Sequence, residues 1–149
     1  MQGKIIKFTK YLLDIMFYSG FVVLATLPWS LKLAGRYYQE QYIDNFLPIL
    51  LVFAAAGVCG VLIIQQLRRM MKTVVAGACF VNDNVRSLET MAALSLVIVA
   101  LFIIKVFIVP TPATAVIILV FFIAALFSLV LANVFAEAIR YKEENDLTI

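Results

Sequence analysis

The sequence contains no histidine and carries few charges for its length. Histidine is the commonest general base and the commonest metal ligand near neutral pH, so its absence argues against most hydrolytic and metal sites. Charged residues make up 14% of the 149 residues, whereas a soluble globular domain typically carries about 25%. No cluster of cysteines or carboxylates takes the place of histidine. We therefore expect no catalytic residue, no metal, no cofactor and no enzymatic activity.

Cysteine is also scarce, and the two that are present do not predict a disulfide. Cys59 lies inside an apolar run, whereas Cys79 lies in a polar interruption between two such runs. Because their surroundings differ, we interpret each thiol as a small apolar packing residue.

Apolar residues dominate what remains. They make up 64% of the chain, and the mean hydropathy is +1.04. A soluble domain of about 150 residues buries only about 70% of its surface, so one core could not hide this much apolar area. The runs have the ~20-residue length that a bilayer requires, which makes the lipid bilayer the first expected partner. We predict an all-α, integral membrane four-helix bundle, a single domain over residues 1–149, with spans at about 11–33, 47–67, 88–109 and 113–136.

The polar interruption from Arg68 to Glu89 separates two transmembrane hairpins, and we call its residues 68–87 the elbow. Gly77 is expected to end the second helix in a left-handed conformation, with a turn at 77–81. Asn82, Asp83 and Asn84 are expected to cap the third helix through their side-chain oxygens. Metal or phosphate binding is the alternative for these three residues, but no further carboxylates lie nearby, so capping is preferred.

Small and aromatic residues predict packing and interfacial positions. Ala56 and Gly60 have the spacing that lets two helix backbones approach closely. A second small-residue stripe recurs every four residues, at Ala124, Ser128, Ala132 and Ala136. Tyrosines in the loop 35–46 are interpreted as an interfacial belt rather than a ligand platform: Tyr37, Tyr38 and Tyr42. Pro110 and Pro112 form a tight turn between the last two spans.

Charge placement predicts the orientation. Nine lysines and arginines lie on the side of the termini and the elbow, and three lie on the other side. The positive-inside rule therefore predicts cytoplasmic N- and C-termini and a cytoplasmic elbow. We assign the net charge of +3 to this asymmetry, with no direct binding of nucleic acid.

Polar residues within the spans are functional candidates by default. Asp14 is expected to pair with Lys10 one turn earlier, and Asn133 lies near the cytoplasmic end of the fourth span. Lys105 is expected to snorkel to the outer surface. None of them lies at the midplane, which argues against a proton or ion pathway.

Helix arithmetic predicts one ion pair. Arg86 precedes Pro110 by nearly as many residues as Glu137 follows Pro112. At ~1.5 Å per helical residue, the two side chains would reach the same depth on antiparallel helices. We predict an Arg86–Glu137 salt bridge at the cytoplasmic mouth. The charged tail, residues 137–149, is expected to continue the fourth helix and to stop near Asn145-Asp146.

Two segments carry a family resemblance. The elbow segment from Phe80 to Leu88, FVNDNVRSL, resembles the F-V-x-x-N-V-x-x-L element of the YoaS-like small bacterial membrane proteins, which form domain-of-unknown-function family 2975. The ending from Glu143 to Ile149, which includes Glu144, Asn145 and Asp146, is similar to that family's E-N-D-L-T-[I/V] ending. Cys79 stands where the family pattern has proline. The resemblance implies a bacterial inner-membrane location, and a cytoplasmic helix-turn-helix regulator as a candidate partner.

Three functional interpretations follow. The preferred one is a non-enzymatic regulatory or adaptor protein that docks a cytoplasmic partner through residues 68–89 and 137–149. The alternative is a small transporter, channel or immunity-type protein, with homo-oligomers formed through the small-residue faces. An intramembrane enzyme is the least favoured, since no catalytic cysteine dyad or midplane aspartate pair is present.

Overall fold

The computed structural model describes residues 2–37 and 44–147, and it consists of four long helices. They are α1 (Gln2–Tyr37), α2 (Phe46–Val75), α3 (Asn82–Ile108) and α4 (Pro112–Leu147). All four are long and apolar enough to cross a membrane, and the described residues contain no strand. The predicted all-α membrane fold is confirmed. Tyr38 and Tyr42, part of the predicted interfacial belt, lie outside the described residues.

Prolines mark the turn between α3 and α4. Val109 follows α3 in an extended conformation, with φ −137° and ψ 96°, as expected for a residue that precedes a proline. Pro112 is the first residue of α4, where a missing N–H leaves no helical hydrogen bond unmade. The chain therefore reverses tightly at 109–111, as the sequence predicts.

The helices pack in chain order. Within residues 2–37 and 44–147, α1 contacts α2, α2 contacts α3 and α3 contacts α4, and no Cα atom of α1 lies within 8 Å of α4. The bundle therefore has a seam between its first and last helices. Its central cluster is formed by Ala56, Ile98 and Phe102, and a second cluster lies toward the proline turn, at Leu31, Ile49 and Val109.

Glycines let α1 and α2 approach closely. A Cβ atom on Gly20 would lie 2.8 Å from the Val61 side chain, and one on Gly57 would collide with the Leu24 side chain. Gly60 has no atom within 4 Å of the same position. The predicted role of Ala56 and Gly60 is therefore correct only for Ala56, which is buried, because Gly60 lies on a more open part of the helix.

The small-residue stripe of α4 is turned slightly from its predicted position. Ser128 and Ala132 are buried, as is Ala125, whereas Ala124 is half-buried and Ala136 is exposed. Since α3 is the helix that contacts α4, this stripe serves packing within the chain.

Gly77 ends α2 as predicted, at φ +78°. The Gly77 N–H donates to the Val74 carbonyl at 3.1 Å, and the Ala78 N–H donates to the Thr73 carbonyl at 3.0 Å. This pair of bonds is a Schellman motif, which satisfies carbonyls at the helix end. It directs the chain away from the axis of α2 and into the connection at 76–81.

Candidate functional site at the elbow

Asn84 secures the connection between α2 and α3. Its side chain is 2% exposed, and Nδ2 donates to Thr73 Oγ1 at 2.7 Å and to the Cys79 carbonyl. The predicted capping role of Asn82, Asp83 and Asn84 is wrong, because the N-cap of α3 is Val81, and it makes no side-chain cap hydrogen bond. Asn82 already belongs to the helix, so Asn84 lies in the first turn and reaches α2 instead.

One face of the elbow is a polar groove of about 550 Å³, which we call the basic groove. Three cations line it, Arg69, Lys72 and Arg86, together with a single carboxylate, Asp83. The remaining lining side chains are uncharged and polar: Gln66, Thr73, Asn84, Ser87 and Thr90. The end of α2 and the start of α3 together hold this positive charge in one place.

The predicted salt bridge between Arg86 and Glu137 does not form. Glu137 Oε2 accepts a 2.9 Å bond from Arg140 Nη2 of its own helix, and no ion pair joins it to Arg86 in the described part of the chain. The Lys105–Thr114 contact indicates an antiparallel register in which Arg86 is level with residue 133, so Glu137 lies four residues, ~6 Å, further along α4. Arg86 instead belongs to the basic groove, between α2 and α3.

The other face of the elbow contacts α4. The Phe80 and Phe135 rings meet edge to face, with centroids 5.1 Å apart. Beside them lies a groove of about 780 Å³, which we call the tail groove, lined by Phe80, Ala138, Tyr141, Lys142, Glu144 and Asn145. The helix continues to Leu147, one residue past the predicted stop near Asn145-Asp146, and Asp146 is exposed. The elbow and the tail therefore form a continuous surface.

Asp14 forms its ion pair with a residue of α2, whereas the sequence predicted a pair within α1. Its Oδ1 atom accepts a 2.8 Å bond from Arg68 Nε, across α1 and α2, and the guanidinium of Arg68 lies 4.3 Å from the centre of the Phe17 ring. The predicted pairing with Lys10 is replaced because α2 brings a planar cation to the same face of α1. Asn133 lies on an exposed face of α4.

Lys105 lies at the opposite end of the bundle and is 2% exposed. Its Nζ atom donates to Thr114 Oγ1 at 2.7 Å and to Thr111 Oγ1 at 3.1 Å, and it lies 5.7 Å from the Phe53 ring centre. The expectation that Lys105 snorkels to the surface is wrong. The sequence feature that could have predicted this burial is the pair of threonines that follows α3, Thr111 and Thr114, because hydroxyl oxygens are suitable acceptors for a buried ammonium.

No curated protein and no solved structure matches the chain. A family described as a protein of unknown function, DUF2975, matches residues 24–149. The match begins within α1 and includes the elbow, the basic groove and the tail groove, which agrees with the family that the elbow and tail motifs predict. This protein therefore belongs to the DUF2975 family.

Proposed function

We propose that this protein is a non-enzymatic membrane adaptor that docks a cytoplasmic protein on the surface shared by the elbow and the tail. The position of Phe80 carries the proposal. Its ring contacts Phe135 near the end of the last span and lines the tail groove, so that the elbow and the tail, which are distant in sequence, share one surface. Residues 137–147 of α4 project roughly 16 Å past the last span, at ~1.5 Å per residue.

The proposed topology places both termini and the elbow in the cytoplasm of a bacterium, with the bundle in its inner membrane. The excess of lysine and arginine on that side supports this orientation. The loop at the other end of the α3–α4 hairpin is short, so it offers little surface to a partner.

The tail groove suggests the chemistry of the partner. Phe80 and Tyr141 are exposed aromatic residues, and aromatic side chains are typical anchors of protein interfaces. Four carboxylates of the tail, Glu137, Glu143, Glu144 and Asp146, outnumber its two cations, Arg140 and Lys142. A partner with an apolar anchor and a basic rim would fit this surface. DNA-binding proteins have such basic surfaces, in keeping with the regulator that the family resemblance implies.

The proposal is tested by crosslinking in native membranes. A photo-crosslinking residue at position 141 should capture a cytoplasmic protein, and one at Tyr11, an equally exposed tyrosine on α1, should not. Phe80→Ala in the same chain should reduce the crosslink from position 141, because it removes one wall of the groove. Deletion of residues 141–149 should abolish co-purification of the captured protein. Equal recovery with and without these changes would exclude a docking role for the tail.

The transporter or channel alternative has less support. All four helices line an apolar groove of about 520 Å³ along the seam between α1 and α4, and no ionisable side chain contributes to its described lining. Ion pathways generally need such groups within the membrane. Flux through liposomes that depended on Asp14 would favour this alternative over the adaptor.

A further inference from the structure

We propose that the basic groove is a binding site for a phosphate group. This inference is independent of the proposed adaptor function, because it concerns the α2–α3 face of the elbow and not the tail groove. The groove combines three cations, a buried hydroxyl and the start of a helix in a space of about 550 Å³. Phosphate is the common ligand chemistry that matches such a set.

The three cations have no carboxylate partner in the part of the chain that the structure describes. Among residues 2–37 and 44–147, no acidic oxygen forms a salt bridge with Arg69, Lys72 or Arg86. The neighbouring Arg68, by contrast, is paired with Asp14 at 2.8 Å. Three like charges that line one groove repel one another, so a bound anion would relieve the repulsion.

Ser87 gives a second, independent indication of a ligand. It lines the groove and is only 6% exposed. Its hydroxyl makes no hydrogen bond to any part of the chain that the structure describes. A buried hydroxyl without a partner costs free energy, whereas a phosphate oxygen in the groove would accept its proton. The nearby Asn84 and Thr73 hydroxyl are already bonded to each other, which leaves Ser87 as the buried donor with bonding capacity.

The backbone adds to the positive potential of the groove. The N-cap of α3 lacks a side-chain hydrogen bond, and the first amide groups of a helix carry partial positive charge. Asp83 is the carboxylate that lines the groove, and it offsets one of the three cations. The remaining charge is sufficient to favour an anion over a cation.

The position of the groove is compatible with two sources of the phosphate group. Arg69 and Lys72 follow the second apolar run by only a few residues, which is the level of lipid headgroups when the run spans the bilayer. The phosphate could therefore belong to an anionic phospholipid or to a soluble phosphate. The same residues would bind either one.

The test uses the full-length protein purified in a neutral detergent. Native mass spectrometry should detect bound phosphatidylglycerol in preference to zwitterionic phosphatidylcholine, and calorimetry should measure the binding of inorganic phosphate. Retained phosphatidylglycerol that inorganic phosphate does not displace assigns the groove to a headgroup. Binding of inorganic phosphate without lipid preference assigns it to a soluble phosphate. Failure of both probes to bind would overturn the proposal.

Matched variants locate the binding. The double variant Arg69→Gln, Arg86→Gln should lower the affinity for the probe that binds by about tenfold or more, since charge-assisted hydrogen bonds are lost. Lys4→Gln combined with Lys7→Gln removes the same charge from exposed positions on α1 and should change affinity by less than about twofold. Arg86→Lys, which keeps the charge, should retain most of the binding. Equal weakening by the two double variants would show that only overall charge matters and would reject the site.

Discussion

Asp14 on α1 and Arg68 on α2 form an interhelical ion pair at 2.8 Å, and the Arg68 guanidinium also lies over the Phe17 ring. The same antiparallel register places Gly20 against Val61 and Gly57 against Leu24. These contacts lie along one face of α1. The most apolar stretch of this helix contains no fully buried residue. The first helix is therefore attached through a narrow strip.

Removal of the Asp14–Arg68 pair should loosen this attachment. In a double-mutant cycle with Asp14→Ala and Arg68→Ala, we expect a coupling free energy of about 1 kcal/mol, because the pair is only partly exposed and also stacks on an aromatic ring. Unfolding in mixed detergent micelles measures the free energy of each variant. Arg69→Ala, one residue further along α2, is the control and should be close to neutral. A coupling of zero would mean that the pair forms without stabilising the helix contact.

The glycines of α2 should differ in their tolerance of alanine. Gly57→Ala places a methyl group against Leu24 and should destabilise the fold by about 1–3 kcal/mol through overpacking. Gly60→Ala has open space at the same atom and should be neutral or stabilising by up to about 1 kcal/mol, since alanine favours helix more than glycine does. The same unfolding assay compares them. Equal destabilisation by both substitutions would contradict the close approach at Gly57.

The stability of the elbow should depend on the side chain of Asn84 and not on that of Asn82. Asn84→Ala removes the buried amide that donates to the Cys79 carbonyl and to Thr73 Oγ1, which should cost about 1–3 kcal/mol and increase amide hydrogen exchange across residues 76–85. Asn82→Ala, at an exposed position, should stay within about 0.5 kcal/mol. A cost of about 1 kcal/mol at Asn82 would instead indicate a capping role there.

The amino-acid pattern was sufficient for features that depend on a single segment. Four apolar runs of membrane-spanning length predict four helices, since backbone groups in lipid must be satisfied internally. Gly77 predicts the end of α2 because glycine adopts a positive φ without steric cost. Pro110 and Pro112 predict the tight turn for a similarly local reason.

Features that join two helices were predicted less well. The Arg86–Glu137 pair was derived from depth along the membrane, and depth does not specify the rotation of a helix about its own axis. Asn84 was interpreted from local capping preference, but tertiary contact with Thr73 determined its role. The burial of Lys105 likewise depended on hydroxyls that become neighbours only when α3 and α4 pack together.

The sequence by itself determined the class of the protein, its four helices of membrane-spanning length, the ends of α2 before Gly77 and of α3 before Pro110, and the family to which it belongs. These follow from hydropathy, backbone preference and motif, which act over short stretches of chain. Only the tertiary structure decided that Asp14 meets Arg68, that Phe80 joins the elbow to the tail, and that Arg69, Lys72 and Arg86 line one groove. Each of these depends on the rotation and register of packed helices, and side chains from the whole interface set them together.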